Sequence, residues 1–396
     1  MRRLILSALT LCLASLSVLS AASGATTPPP FATSEFSTSV VAENNLPGTT
    51  AWHLGATPKG TYVEGFFNKD YVAAGDATSF YVSTNATTYR LAAYRMGWYH
   101  GAGGRLVWTS PVESGRVQPA CPLNATVNMV SCTNWSAGGS VAITSDFVPG
   151  DYVFKLTASN GAQSYMLLTV WNPTSTATYV LIGRTMTDEG WNTFGGYDFY
   201  RGVGTCAKGA ASYPPCNRAR VVSLDRPYAT GHGSSDFFGN EYPLVSFVEE
   251  HGLDVTYVTD VTLNDHPAFA LHHKAILSLG HDETWSYPER AGVLQAFHQG
   301  TNLVFFGSAA VLRHARMQAS AFGPSREVVD YRDSYADPLL GHGNPMDVTG
   351  NTFAQYPTGL PPTQLTGELY SGYTVRGHFS PTWSPTRGPG STTGCR

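Results

Sequence analysis

The chain has 396 residues, 42% of them apolar and only 13% charged, with a net charge of −4. This is enough chain and enough apolar content for two or three folded domains, and too little charge for an intrinsically disordered protein. A slightly acidic balance argues against a nucleic-acid groove and against a patch for anionic membranes.

The first stretch reads as a targeting segment. Met1-Arg2-Arg3 is basic, Leu4 to Leu19 is apolar, and Ser20 to Ala25 offers small residues for cleavage. That three-part pattern predicts a secretory signal peptide over residues 1–25, and hence a secreted, extracellular protein. No later stretch is long and apolar enough to span a bilayer, so no membrane span is expected once the signal is removed. Residues 26–45 are rich in Thr, Ser and Pro and read as a linker.

Cysteine usage agrees with export. Cys12 leaves with the signal, Cys395 is left over, and the other four form two local pairs. Disulfides Cys121–Cys132 and Cys206–Cys216 are expected in an oxidising compartment. The spacings are too long for CxxC pairs, which argues against a four-thiolate metal site.

Residues 46–173 carry a β pattern. Ser79 to Ser83, Tyr89 to Arg95, Arg105 to Trp108, Val141 to Thr144, Val153 to Thr157 and Ser164 to Val170 are short runs rich in aromatic and β-branched residues. Gly, Asn and Pro separate them, as in an immunoglobulin-like β-sandwich. Gly101-Ala-Gly-Gly104 lies between two such runs and reads as a turn. Trp98 and Tyr99 are aromatics with a packing role, or a binding one if exposed.

The pattern changes after Trp171. Tyr179 to Gly183 and Arg220 to Leu224 are apolar runs. Tyr242 to Gly252 reads as a helix, Leu253 to Val258 and Ala275 to Leu279 as strands, Pro288 to Gln299 as a helix and Asn302 to Phe306 as a strand. Continuous apolar strands alternating with helices predict a parallel sheet covered by helices on both faces. The fold expected for residues 174–375 is therefore a flavodoxin-like or amidotransferase-like α/β domain. Residues 376–396 carry almost no aliphatic side chains and read as a disordered tail, with truncation of the C-terminus as a hypothesis.

Ligands in open α/β sheets bind beyond the carboxyl ends of the strands. The segment Gly280-His281-Asp282-Glu283 follows the Ala275 strand, so His281, Asp282 and Glu283 are the candidate catalytic trio, for metal binding or acid–base work. The competing reading is capping of the next helix. Thr187 to Asp198 follows the first strand of the sheet and forms a second wall. There Asn192, Tyr197 and Asp198 are candidates to face a ligand, with an ordinary polar loop as the alternative. Trp285 is a further candidate for the substrate pocket, although packing is the stronger reading. His232 and His342 sit in Gly-His-Gly loops and read as solvated. The chain has no GxxxxGK[ST], HExxH or GxSxG motif.

These pieces resemble one family. Trp191-Asn-Thr-Phe-Gly-Gly196, Glu241-Tyr-Pro-Leu, Val258-Thr-Asp260, Gly280-His-Asp-Glu-Thr-Trp-Ser286, Asn302 to Gly307 and Tyr94 to Arg105 are similar to the N,N-dimethylformamidase large (beta) subunit and its secreted bacterial relatives. The resemblance implies hydrolysis of a C–N bond in a small amide by iron held on two tyrosines and a glutamate. Carried over, Tyr242 would be one tyrosine ligand and Glu368 lies near the expected glutamate. Relatives place tyrosine where this chain has Thr284, so either Glu283 or His281 completes the set or the chain binds no iron. The alternative is a non-catalytic extracellular protein that binds a polymer such as carbohydrate and keeps a degenerate metal site.

Overall fold

A computed structural model describes residues 37–205 and 216–368. The expected signal peptide, the tail and Cys206 lie outside the described residues. Helix α1 (Thr38–Asn44) occupies the end of the stretch read as linker and buries Val40 and Asn44.

An antiparallel part follows. It contains β1 (Val63–Phe67), β2 (Tyr71–Ala73), β3 (Ala77–Thr84), β4 (Thr88–Met96), β5 (Gly104–Thr109), β6 (Glu113–Ser114), a small ribbon of β7 (Leu123–Asn124) and β8 (Met129–Val130), then β9 (Gly139–Ala142), β10 (Gly150–Ala158) and β11 (Gln163–Trp171). One sheet has the order β1-β3-β9; the other runs β2-β11-β10-β4-β5, with β6 beside β4. Inward residues of both sheets, among them Phe80, Val82, Leu91, Val141, Phe154, Leu156 and Met166, share one core. Alternating inward side chains from two facing sheets are the physical basis of a sandwich. The Cys121–Cys132 disulfide forms in the loops that flank the ribbon, with Cα atoms 4.5 Å apart. Cys216 is disulfide-bonded too.

Next come β12 (Tyr179–Gly183), α2 (Thr185–Trp191), β13 (Val221–Ser223), α3 (Phe237–Asn240), α4 (Tyr242–Glu250), β14 (Val255–Thr259), α5 (Asp260–Asp265), β15 (Ala275–Leu279), β16 (Thr284–Ser286), α6 (Tyr287–His298), β17 (Asn302–Phe306), β18 (Arg313–Ser320), β19 (Gly323–Val329) and α7 (Thr363–Thr366). The sheet β14-β12-β15-β17 is wholly parallel. Strands β12, β14 and β15 are buried on both faces while the edge strand β17 is only half-buried, and successive residues divide between two cores. Val180, Ile182, Val258 and Ile276 point to one face, where Leu263, Phe269, Trp285 and Val293 cover them. Leu181, Tyr257 and Leu277 point to the other, against Val245 and Val248 of α4 and against Tyr94, Met96, Val153 and Tyr165 of the antiparallel part. The second face is thus covered by one helix and a β-sheet, where the alternation pattern led us to expect helices alone.

Two further expectations are corrected. Residues 220–224 yield β13, but it pairs antiparallel with β19 in a separate sheet of order β13-β19-β18-β16. The segment Thr187 to Asp198 is not a plain loop, because its first half continues α2 and buries Thr187, Asp188 and Glu189.

Helix boundaries follow local chemistry. Ser286 and Glu289 form a reciprocal capping box at the start of α6, with a proline in its first turn. Thr259 and Thr262 do the same for α5. No helix among the described residues is long and apolar enough to cross a membrane.

Candidate active site

The parallel strands, numbered in chain order, lie 2-1-3-4, so strand order reverses between β12 and β15. Crevices open at such reversals, on the carboxyl side. There β12 ends in Gly183-Arg184, β14 in Thr259-Asp260 and β15 in Gly280 to Glu283. Gly183 lets Glu241 approach closely: a Cβ would lie 3.2 Å from its Oε2. Gly280 turns the chain with φ +69°, a conformation that favours glycine.

Arg184 is buried among acids, of which Asp188 and Glu241 are buried and Asp236 is exposed. Its Nη2 is 3.0 Å from Asp188 and 3.9 Å from Asp236, and its Nε is 3.5 Å from Glu241. Burial raises the pKa of Asp188 and Arg184 opposes it. Glu241 is held well above the carboxylate range by burial and then by the charge of Asp188. A guanidinium, not a vacancy, therefore occupies the centre of this group of carboxylates.

The predicted trio emerges at the end of β15 but is split. His281 is exposed, with Nδ1 3.1 Å from the Ser308 carbonyl. Asp282 is 0% exposed, and Ser278 Oγ donates to its Oδ2 at 2.7 Å. Burial pushes Asp282 up to about 6. Its Oδ1 and the Trp285 indole nitrogen are both buried without a hydrogen-bond partner. The indole nevertheless lies near enough to lower the Asp282 pKa. Glu283, 6% exposed, has its Oε2 4.0 Å from Arg313 Nε. Neither acid caps α6; Ser286 does. The three side chains do not form one set facing solvent.

The other predicted residues are placed as follows. Asn192 is buried and satisfied: its amide donates to Glu189 and the Pro227 carbonyl, and its oxygen accepts from Phe194 N and Ala229 N. The Tyr197 carbonyl accepts from Arg226, and Asp198 caps the amides of Tyr200 and Arg201. Trp285 is fully buried in the core. The Tyr242 hydroxyl donates to the Gly97 carbonyl at 3.4 Å, beside Trp52 and Phe238. Glu368 is exposed beyond α7, its backbone bonded to Thr366. Thr284 is buried and its amide donates to Thr187 Oγ1.

Iron needs several hard donors converging on one point. Tyr242, Glu283 and Glu368 have separate surroundings. Among the described residues no three His, Cys, Asp or Glu side chains are placed to hold a metal ion. The implied donor set does not fit the metal, and no chemistry is derived through it.

What does converge is a cavity of about 70 Å³ between the carboxyl edge and the antiparallel sheets, with Asp70, Asp151, Asp188, Glu189, Tyr228 and Glu241 in its lining. Arg226 Nε and Asn192 Nδ2 donate to Oε2 of Glu189, at 3.3 and 3.0 Å. Burial outweighs them and pushes Glu189 up to about 7. The Tyr228 phenol is kept protonated by burial and by the nearby Glu189 and Asp188. Asp151 is pushed up to about 6 by burial. Sequence reading missed these residues. Asp188 and Glu189 were signalled by their place just after a parallel strand; Asp70 and Asp151 come from the antiparallel part and carry no local signal.

A β-sandwich packed on a parallel α/β sheet, with a carboxylate-lined cavity at the strand-order reversal, has the layout of a ligand-binding or catalytic α/β protein. The chain belongs to the N,N-dimethylformamidase beta subunit-like, C-terminal family, whose model matches residues 90–387. Among solved structures it is similar to an uncharacterized protein from Bacillus anthracis str. Ames. The identity is 14% and the TM-score 0.18, over 26% of this chain and 82% of that one. It is also similar to a beta-glucuronidase of Faecalibacterium prausnitzii, at 12% identity and TM-score 0.19. That match covers 63% of this chain and 28% of the glucuronidase. Likenesses this slight carry no argument here. No curated protein matches.

Proposed function

We propose that this chain hydrolyses the C–N bond of a small amide in the cavity beyond β12 and β14, as an exported enzyme. Family membership supports the reaction class, and one observation carries the location: Glu189, a buried carboxyl pushed up to about 7, lines a small polar cavity beside the Tyr228 phenol. A group titrating near neutrality can both take and return a proton. The exported reading rests on the signal-like sequence pattern of residues 1–25. The strand order 2-1-3-4 supports the flavodoxin-like reading of the parallel part, and the two facing antiparallel sheets support the immunoglobulin-like one.

In this reading Glu189 Oε2 is fixed by Arg226 and Asn192, which leaves Oε1 to act. Water attacks the amide carbon while Glu189 takes its proton. Tyr228 donates a hydrogen bond to the carbonyl oxygen, where negative charge develops. The C–N bond then breaks, Glu189 passes the proton to the departing nitrogen, and a carboxylic acid and an amine are released. Arg226 has no free N–H for this, because it also donates to the carbonyls of Phe194, Tyr197, Glu189 and Asn192.

A second reading is a binding protein without turnover, for a small amide or an extracellular polymer. It is favoured by Thr284 at the tyrosine position and by the separation of Tyr242, Glu283 and Glu368. Assaying amine release from formamide, N-methylformamide and N,N-dimethylformamide separates the two. Turnover lost in Glu189→Gln supports hydrolysis; tight binding with no amine released supports the second.

A further inference from the structure

We propose that Asp151 and Glu241 form a subsite for a small ammonium ion, such as ammonium itself or methylammonium, inside this cavity. Asp151 is 5% exposed and lies in the cavity lining. Thr169 Oγ1 donates to its Oδ1 at 2.8 Å, but its Oδ2 is buried with no partner. A buried acceptor left open is costly, so it points to a donor that belongs there.

The other acids of the cavity are accounted for. Asp70 receives the hydroxyls of Thr185 and Thr259, at 2.9 and 2.6 Å. Glu189 takes Arg226, at 3.3 Å. Arg326, which also lines the cavity, is held by Asp225, at 2.8 Å. Glu241 has only Arg184, at 3.5 Å, and Arg184 lies closer to Asp188, at 3.0 Å. Asp151 and Glu241 sense each other's charge. Asp151 is thus the acid of this lining with an open buried acceptor, and Glu241, whose pKa burial raises, lies within electrostatic reach of it.

Wall chemistry selects the cation. The cavity, of about 70 Å³, has room for more than a water molecule and admits a small cation. Met166, Leu168 and Phe237 form apolar walls that suit a methyl group better than a hydrated metal ion. An N–H donor also matches the open Oδ2, and a nearby cation would draw Asp151 back down from about 6. As the place where the departing amine sits, the subsite rests on the hydrolase reading; ammonium binding itself requires no turnover.

Titration calorimetry on the full chain with methylammonium chloride, at about pH 8 and against sodium chloride of equal ionic strength, tests this. Expected is saturable binding with Kd in the millimolar range. Asp151→Asn and Glu241→Gln should each weaken it roughly 10-fold or more, and tetramethylammonium should not bind. Absence of saturable heat in wild type up to about 100 mM overturns the proposal, even if neither variant folds. Sodium binding as well as methylammonium also overturns it, as does unchanged binding in folded Asp151→Asn. Amide turnover assayed in parallel keeps the readings apart: binding without turnover sinks only the hydrolase, and turnover without binding sinks only the subsite.

Discussion

Arg95 and Glu249 meet through two parallel contacts, Nη1 to Oε2 at 2.9 Å and Nη2 to Oε1 at 2.6 Å, both side chains being buried. Arg95 belongs to β4 of the antiparallel part and Glu249 to α4, which packs on the parallel sheet. Tyr257 of β14 donates to the same carboxylate at 2.6 Å, and Asn44 of α1 at 2.5 Å. This pair bolts together the two walls between which the cavity lies. Glu249→Gln or Arg95→Met leaves a buried charge unmatched, and the expected loss is about 3–5 kcal/mol. Urea unfolding measures it; a loss below about 1 kcal/mol would show that the pair is no clamp.

The Cys121–Cys132 bond closes a loop of sequence separation 11. Restricting the unfolded chain over such a loop contributes about 2–3 kcal/mol. Cys121→Ser together with Cys132→Ser should lower stability by that amount in non-reducing denaturation, with the sandwich still folded. An unchanged midpoint would place the bond outside the stability of the core.

Asp151 gives a stability prediction with a definite sign. Burial raises its folded pKa from 3.8 to about 6. Between those values the folded state holds a proton that the unfolded state has lost, so rising pH costs stability across that window and no more above it. Burial dominates this shift; the Thr169 hydrogen bond and the Arg95 charge oppose it, Glu249 and Asp70 add to it, and Glu241 lies within electrostatic reach. Asp151→Asn should therefore match wild type near pH 4 and exceed it near pH 8, in buffers free of ammonium ions. Thermal melts at the two pH values check this, and a larger advantage for the variant at the acid end would refute it.

Thr284 is buried beside α2, 3.8 Å from the point where a Gly190 side chain would begin. Thr284→Tyr should overpack this contact at about 1–3 kcal/mol. It should add no phenolate-to-iron absorption band, because Tyr242 and Glu283 face other partners. A visible band in iron-treated Thr284→Tyr would show that the ligand set can assemble.

The parallel strands were legible because burial on both faces leaves continuous apolar runs, as in Tyr179–Gly183 and Ala275–Leu279. Helices α4 and α6 were legible from Gly252 and from Pro288. The hairpin of β18 and β19 was not: Arg313-His-Ala-Arg-Met-Gln-Ala-Ser320 is charged and polar, and pairing with β16 and β19 makes it a strand. The trio at 281–283 was found as a location, but sequence cannot tell that Asp282 turns toward Ser278 while Glu283 turns toward Arg313. Asp151 was invisible because its role depends on a wall formed by a segment far away in the chain.

The pH dependence of turnover follows from Glu189. A carboxylate acting as base must be ionised, so kcat/KM should rise with pH through about 7 and then level off. The most direct test is amine release from a panel of small amides by wild type and Glu189→Gln. The prediction is turnover by wild type with that inflection, and a loss of about 10²–10⁴-fold without it in the variant. No amine released by wild type from any small amide, or equal rates in the two proteins, would contradict the account.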